Sequence, residues 1–159
     1  IYPGIWRHGD WLIRTARGSW VITGRSDATL NRGGVRLGTA EFYALLDTDP
    51  RVRDSMVVHF EDEAGGMGKL VLLVTPASDA DRDTLVGALR TLIRDQLSPR
   101  HVPDTIVFVP SVPRTSTGKR LEIPLKRAVR GTPDAIDPDV LVHPEDLRTI
   151  VTLVTDSIR

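Results

Sequence analysis

Five consecutive apolar residues, Leu70-Val71-Leu72-Leu73-Val74, constrain the fold of this chain more than any other feature. Side chains alternate across a strand, so an unbroken apolar run needs cover on both faces, as in the central strand of a layered sheet. The flanking sequence supplies neighbours. Asp54 to Phe60 and Lys69 to Thr75 read as two strands around the turn-forming stretch Glu61 to Gly68, and Thr105 to Val109 reads as a third. Asp79 to Gln96 places Leu85, Leu89, Leu92 and Ile93 at helical spacing and is ended by Pro99 and Pro103. Thr39 can cap a helix running through Glu41 to about Asp47, with Phe42, Leu45 and Leu46 on one face. Leu121 to Val129 reads as a short basic helix and Leu147 to Ile158 as a last weak helix or strand. This order predicts an α+β domain, a small three-stranded sheet with helices packed on it.

The beginning of the chain does not fit that unit. Asp10 to Arg14 and Ser19 to Thr23, around Arg17-Gly18, predict a β-hairpin. That region carries Trp6, Trp11 and Trp20 with too little chain to bury them, so residues 1–26 are expected to be the remnant of a larger N-terminal domain. Asn31-Arg32-Gly33-Gly34-Val35-Arg36 reads as a glycine-rich polar loop. Residues 27–131 form the expected domain, and 132–159 a C-terminal extension whose Pro- and Asp-rich first half runs extended over the surface. The chain starts at Ile1 rather than methionine, which suggests a piece of a longer protein.

Charge and composition exclude several functions. Lys+Arg and Asp+Glu number 21 each, so no basic field favours nucleic acid or an anionic membrane as partner. No apolar run approaches the ~20 residues that span a bilayer. The absence of cysteine excludes thiolate chemistry and fits a reducing cytoplasmic setting.

Chemistry concentrates in Pro113-Arg114-Thr115-Ser116-Thr117-Gly118-Lys119-Arg120. Small residues let a backbone approach a ligand, hydroxyls and amides donate to phosphate oxygens, and lysine adds a compact, mobile cation. Alone, such a stretch is more often a solvated turn. Two motifs precede it in order: Trp6-Arg7-His8-Gly9-Asp10, and Gly24-Arg25-Ser26-Asp27 with Gly34-Val35-Arg36 behind it. With these three motifs, the chain from about Trp6 to Arg130 resembles the end of enzymes of the adenylate-forming superfamily, which includes acyl-CoA synthetases, nonribosomal adenylation domains and luciferases. Asn31 and the following Leu37-Gly38-Thr39-Ala40-Glu41 resemble the acetyl- and acetoacetyl-CoA synthetase branch. Leu97 to Pro103, Gly118 to Arg127 and Gly131-Thr132-Pro133 are similar to the acetoacetyl-CoA synthetases in particular.

The resemblance implies an AMP-forming acid–thiol ligase, with ATP and CoA as substrates and acetoacetate as the acid. A carboxylate attacks the α-phosphate of ATP to give acyl-AMP and diphosphate, and the CoA thiol then displaces AMP. The C-terminal domain of such enzymes is mobile and rotates between the steps. By this resemblance Lys119 is catalytic, bridging carboxylate and α-phosphate. Asp10 holds ribose hydroxyls, Arg25 supports the nucleotide and Arg36 meets ATP phosphates. Asp27 is the hinge, Gly34 leaves room for pantetheine, and Arg94 lies near the CoA nucleotide. The glycine-rich phosphate loop, the acyl pocket and the site of Mg²⁺ are expected in an N-terminal adenylation domain, the implied partner. No metal site is expected in this chain, because His8, His59, His101 and His143 lack ligand spacing. Relatives are controlled by acetylation of the corresponding lysine, so a protein acetyltransferase and deacetylase acting on Lys119 are further implied partners.

Plainer readings stand beside these. Lys119 could be a solvated loop lysine, Asp10 and Asp27 turn aspartates, Arg25 a surface ion pair, Gly33-Gly34 a simple turn and Arg94 a solvated helix arginine. The alternatives for the whole are another short-chain ligase (acetyl- or propionyl-CoA), a non-catalytic regulatory domain reusing the fold, or a nucleic-acid module built on Arg114, Lys119, Arg120, Lys126, Arg127 and Arg130. Finding Asp10, Arg25, Arg36 and Lys119 together argues against a degenerate domain.

Overall fold

The apolar run lies in the middle of a sheet and is covered on both faces. The computed structural model describes Gly4 and residues 10–25, 29–132 and 134–159. In chain order these form β1 (Asp10–Arg14), β2 (Trp20–Arg25), β3 (Thr29–Arg32), β4 (Val35–Gly38), α1 (Thr39–Leu46), β5 (Val52–Phe60), β6 (Lys69–Pro76), α2 (Arg82–Gln96), β7 (Thr105–Phe108), α3 (Glu122–Val129) and α4 (Leu147–Ile158). Short 3₁₀ turns occupy Pro99–His101, Pro138–Val140 and Pro144–Asp146.

The three-stranded sheet has the order β5-β6-β7, with β5 antiparallel and β7 parallel to β6. Alternation along β6 divides its side chains between two cores. Leu70, Leu72 and Val74 join Phe42 and Leu46 of α1 and Leu85, Leu89 and Ile93 of α2. Val71 and Leu73 join Leu125 and Val129 of α3 and Ile150 and Val154 of α4. Each fully buried side chain of this size contributes about 1.5–3 kcal/mol, which is why an all-apolar strand is stable only between two layers.

The last helix belongs to the second of these cores. Ile150 and Val154, together with Ile136 of the preceding segment, complete the face that α3 only begins to cover. The stretch after Gly131 is less extended than expected, because Pro138 and Pro144 each start a 3₁₀ turn.

Three local expectations need correction. The supposed loop around Gly33-Gly34 is a β-hairpin: β3 pairs antiparallel with β4, and both glycines have positive φ (58° and 81°), the backbone that a two-residue primed hairpin turn requires. Thr39 does not cap α1. Gly38 occupies the cap with no side-chain hydrogen bond, and Thr39 is the first helical residue, turned inward and buried. Helix α2 starts at Arg82, not Asp79, because the Asp81 carboxylate accepts the Asp83 amide at 3.2 Å and so fixes the cap.

The hairpin β1–β2 forms as expected, with Asp10 and Arg25 as register partners. Leu12, Ile13, Trp20, Val21 and Ile22 along it are exposed.

Candidate active site

Lys119 stands exposed on a hairpin between β7 and α3. The Leu121 amide donates to Pro113 O (3.0 Å), Thr115 donates to Lys119 O (3.0 Å), and Gly118 donates back to Thr115 O (2.8 Å). Gly118 has φ 83°, so the chain turns there in a conformation that a Cβ would strain. Hydroxyls gather beside the lysine: Thr115 Oγ1 lies 2.9 Å from Thr117 Oγ1 and accepts the Lys119 amide at 3.1 Å.

The two arginines flanking this hairpin hold it to the sheet. Arg114 grips Asp54 with two hydrogen bonds, Nε to Oδ2 at 2.6 Å and Nη2 to Oδ1 at 2.7 Å, and gives Nη1 to Gly118 O at 2.6 Å. Arg120 donates to Ser55 O (2.7 Å) and to Asp54 Oδ1 (3.3 Å), while its guanidinium stacks 3.8 Å from the Tyr43 ring centre. Strand register slips between Val52 and Asp54, a bulge that places Asp54 where both arginines reach it. Partial burial pushes the Asp54 carboxyl up, but hydrogen bonds and charge from Arg114, the Ser55 amide and Arg120 together outweigh it and hold the group below the ordinary aspartate range. The same contact raises Arg114. Tyr43 is pushed well above its ordinary value by burial and by the nearby Glu122, to which its hydroxyl donates at 2.8 Å.

A second cluster lies at the far end of β5. The Gly33-Gly34 turn rests beside Met67, whose carbonyl is 2.9 Å from His59 Nε2, and beside Arg100. Arg32, buried, spreads its guanidinium over Arg100 O (3.0 Å), Val102 O (2.7 Å) and Asp104 Oδ1 (2.6 Å), fastening the β3–β4 hairpin to the Pro99–His101 turn. Helix α2 leads into that turn, and Arg94 lies exposed in its last turn, bonded to Asp95 and Thr91. From Asp54 to Phe60 the strand covers about 20 Å. Lys119 is therefore near one end of β5, and the Gly33-Gly34 turn, beside Met67, near the other.

The expected site residues thus fall into separate groups. Gly34 and Arg36 share one hairpin, with Arg36 exposed and paired in register with Asn31. No hydrogen bond or ion pair among the described residues joins Arg36 or Arg94 to the Lys119 hairpin. Asp10 and Arg25 are adjacent across β1 and β2 by backbone register. Asp27 lies outside the described residues.

Sequence reasoning missed Asp54, Tyr43 and the Arg32–Asp104 clamp. Arg114 and Arg120, read as members of a basic patch, are instead committed to Asp54, while Lys126 and Arg130 meet Glu61. A visible signal was two arginines six positions apart around a glycine turn; their acceptor stands 60 residues upstream of Arg114.

One group among the described residues brings potential metal ligands together, His143, Glu145 and Asp146, with ligand atoms within 4.8 Å. It does not suit Mg²⁺, which takes oxygen ligands, because one ligand would be an imidazole and Asp146 already accepts from Ser111 at 2.6 Å. No helix among the described residues is long and apolar enough to cross a membrane.

Comparison with known proteins gives a consistent result. Residues 44–119 match the family described as AMP-binding enzyme C-terminal domain. The acetoacetyl-coenzyme A synthetase of Rhizobium meliloti (strain 1021) is 38% identical over 149 residues, covering 92% of this chain and 22% of the relative. The malonamoyl-CoA synthetase vrtB of Penicillium aethiopicum is 40% identical over 134 residues, covering 82% of this chain and 18% of the relative. Among solved structures, the acetoacetyl-CoA synthetase from Streptomyces lividans superposes with a TM-score of 0.81 at 41% identity, covering 98% of this chain and 23% of that one. The chain spans about a fifth of the length of these proteins.

Proposed function

The chain belongs to the family of AMP-binding enzyme C-terminal domains, and on that premise we propose that it is the mobile domain of an ATP-dependent acid–CoA ligase, with acetoacetate as the acid. Residues 1–26 are the end of the adenylation domain in this reading, 27–131 the mobile domain hinged at Asp27, and 132–159 an extension. The exposed apolar side chains of β1 and β2 support an adjoining domain that covers them.

The carrying observation is an exposed lysine on a hairpin anchored through Asp54, about a strand's length from the Gly33-Gly34 turn. Adenylation drives a carboxylate oxygen onto the α-phosphorus of ATP while diphosphate departs. Two anions must meet, and a lysine between them stabilises the transition state more than the separated reactants. Thioester formation needs something different: the CoA sulfur attacks the acyl carbon, AMP leaves, and a narrow path is required for the pantetheine arm. Gly34, where an added Cβ would meet nothing within 4 Å in this chain, suits a surface against which another body closes. A rigid domain with one group at each end serves both steps by turning. Asp10, Arg25 and Arg36 take the nucleotide in this reading, and Arg94 the CoA nucleotide. The adenylation domain supplies the acyl pocket and the carboxylate for Mg²⁺, which shields phosphate charge.

The proposal extends to a cytoplasmic setting, a role in fatty acid and lipid metabolism, and control by acetylation of Lys119, which would remove its charge. A second acyl specificity is favoured by one observation, the 40% identity to a malonamoyl-CoA synthetase.

The test uses the full-length enzyme carrying this domain. Lys119→Gln is expected to slow ATP–pyrophosphate exchange with acetoacetate about 10²- to 10³-fold while leaving thioester formation from acetoacetyl-AMP intact. Normal exchange in that variant would refute the assignment. Exchange with malonamate but not acetoacetate would select the second specificity.

A further inference from the structure

The segment after Gly131 reaches back to the Lys119 hairpin and pairs with it. The Ser116 amide donates to Val140 O at 3.2 Å, the Val142 amide donates to Arg114 O at 3.0 Å, and Thr115 and Leu141 form an antiparallel bridge. On the opposite edge, Arg114 bridges Arg120. Residues 113–116 are therefore the middle of a three-stranded strip, and its outer strand comes from residues 140–142.

This outer strand is itself anchored. The 3₁₀ turn Pro138–Val140 is capped by Asp137, whose carboxylate accepts the Asp139 amide at 3.0 Å. Leu141 packs against the core shared by α3 and α4. Ser111 donates to Asp146 at 2.6 Å, tying the start of the hairpin to the start of α4.

We propose that residues 140–142 are a positioning strap that fixes the Lys119 hairpin for the adenylation half-reaction. The proposal rests on the reading of Lys119 given above. A two-stranded hairpin is marginal in water by itself, and a third strand gives it a fixed edge. A misplacement of about 1 Å in a catalytic group can cost ~100-fold in rate, so a lysine that must be ready each time the domain returns gains from a preset backbone. In the reading above the thioester step does not use that hairpin, so the strap should matter for one half-reaction only.

Val142→Pro isolates the effect. It removes the amide that bonds Arg114 O, and Leu141 at φ −82°, ψ 147° already has the extended backbone that a following proline demands. Val142 is 52% exposed, so the core is left closed. Val142→Ala keeps the amide and is the control. In the full-length enzyme, Val142→Pro is expected to lower kcat for ATP–pyrophosphate exchange about tenfold at unchanged KM for acetoacetate, with thioester formation from acetoacetyl-AMP at the normal rate and Val142→Ala normal in both. In the 159-residue chain, the Ser116 and Lys119 amides should exchange hydrogen roughly fivefold faster in the proline variant than in the alanine one. Equal losses in both half-reactions, or losses in neither, would overturn the strap. So would unprotected Ser116 and Val142 amides in the unaltered chain, a measurement that stands even if the proline variant does not fold. Failure of the lysine reading is separable: Lys119→Gln would then exchange normally, whatever Val142→Pro does.

Discussion

Asp54→Asn tests the anchoring of the Lys119 hairpin at its centre. The carboxylate accepts two short bonds from Arg114 and a longer one from Arg120. Asparagine keeps the size and one acceptor oxygen but removes the charge and the second acceptor. Charge-assisted hydrogen bonds contribute about 1.5–3 kcal/mol each, and breaking a fully buried pair costs about 3–5 kcal/mol. Here the Asp54 and Arg114 side chains keep 23% and 25% of their surface, so water recovers part of the loss. The expected destabilisation is about 2–3 kcal/mol near neutral pH, read by urea unfolding of the chain with linear extrapolation. The pH dependence provides the sharper check. The Asp54 carboxyl titrates below its ordinary value of 3.8 in the folded chain, so its contribution is full above that value and disappears as pH falls through the lower folded value. Asp49 and Glu61 are lowered as well, so both proteins weaken in acid, and only the gap between them is diagnostic. The gap should be full above the ordinary value of 3.8 and should close only as pH falls through the lower folded value. A gap below about 0.5 kcal/mol at neutral pH would make the contact an ordinary surface pair and refute the reasoning. A gap that persisted undiminished in acid would refute the electrostatic part.

Three further outcomes follow from the geometry. Arg32→Ala should cost about 3 kcal/mol in urea unfolding, because its buried guanidinium serves two carbonyls and Asp104 at once, and Arg32→Lys should cost nearly as much because an ammonium cannot reproduce the fork. A neutral lysine variant would contradict this. Gly68→Ala should cost about 3 kcal/mol or more, since φ is 65° and a Cβ would strike Phe60 O and lie 2.8 Å from His59 Nε2, whereas Gly34→Ala, with open space around it, should cost about 1 kcal/mol from its backbone angle alone. Equal losses at the two glycines would show that crowding at position 68 is unimportant. In a spectrophotometric titration, at most one of the two tyrosines should ionise near the ordinary value of 10.0, because burial and Glu122 keep the Tyr43 hydroxyl neutral. Stability owed to that neutral hydroxyl is present below 10.0 and falls as pH rises further, so Tyr43→Phe should flatten the alkaline limb of the stability curve. Two tyrosines ionising together near that value in the folded chain would exclude this.

The readable and the unreadable parts of this molecule differ in the range of the interactions that make them. Leu70 to Val74, the helical spacing of Leu85, Leu89 and Ile93, and the two hairpin strands around Arg17-Gly18 are set by neighbours a few residues away, and the sequence carries that periodicity openly. Thr39 misled for the converse reason: a hydroxyl before an apolar stripe marks a cap in general, but here the β3–β4 hairpin delivers the chain to α1 with Thr39 already buried, so packing overrides local preference. The Gly33-Gly34 turn carried the local signal of a primed hairpin, and only its polar surroundings made it look like a loop. The supports of the candidate site are of another kind. Asp54 and Arg114, or Arg32 and Asp104, meet across 60 and 72 residues, and a charged pair at that separation leaves no period in the sequence. The strap at residues 140–142 is quieter still, because backbone amides bond regardless of which side chain they carry. What the supports share is direction. The Asp54 network and the strap both converge on the Lys119 hairpin, while the Arg32 clamp fastens the β3–β4 hairpin to the segment before β7. The Lys119 hairpin and the Gly33-Gly34 turn are thus held about 20 Å apart. If both serve the same acyl group, the domain must turn between steps.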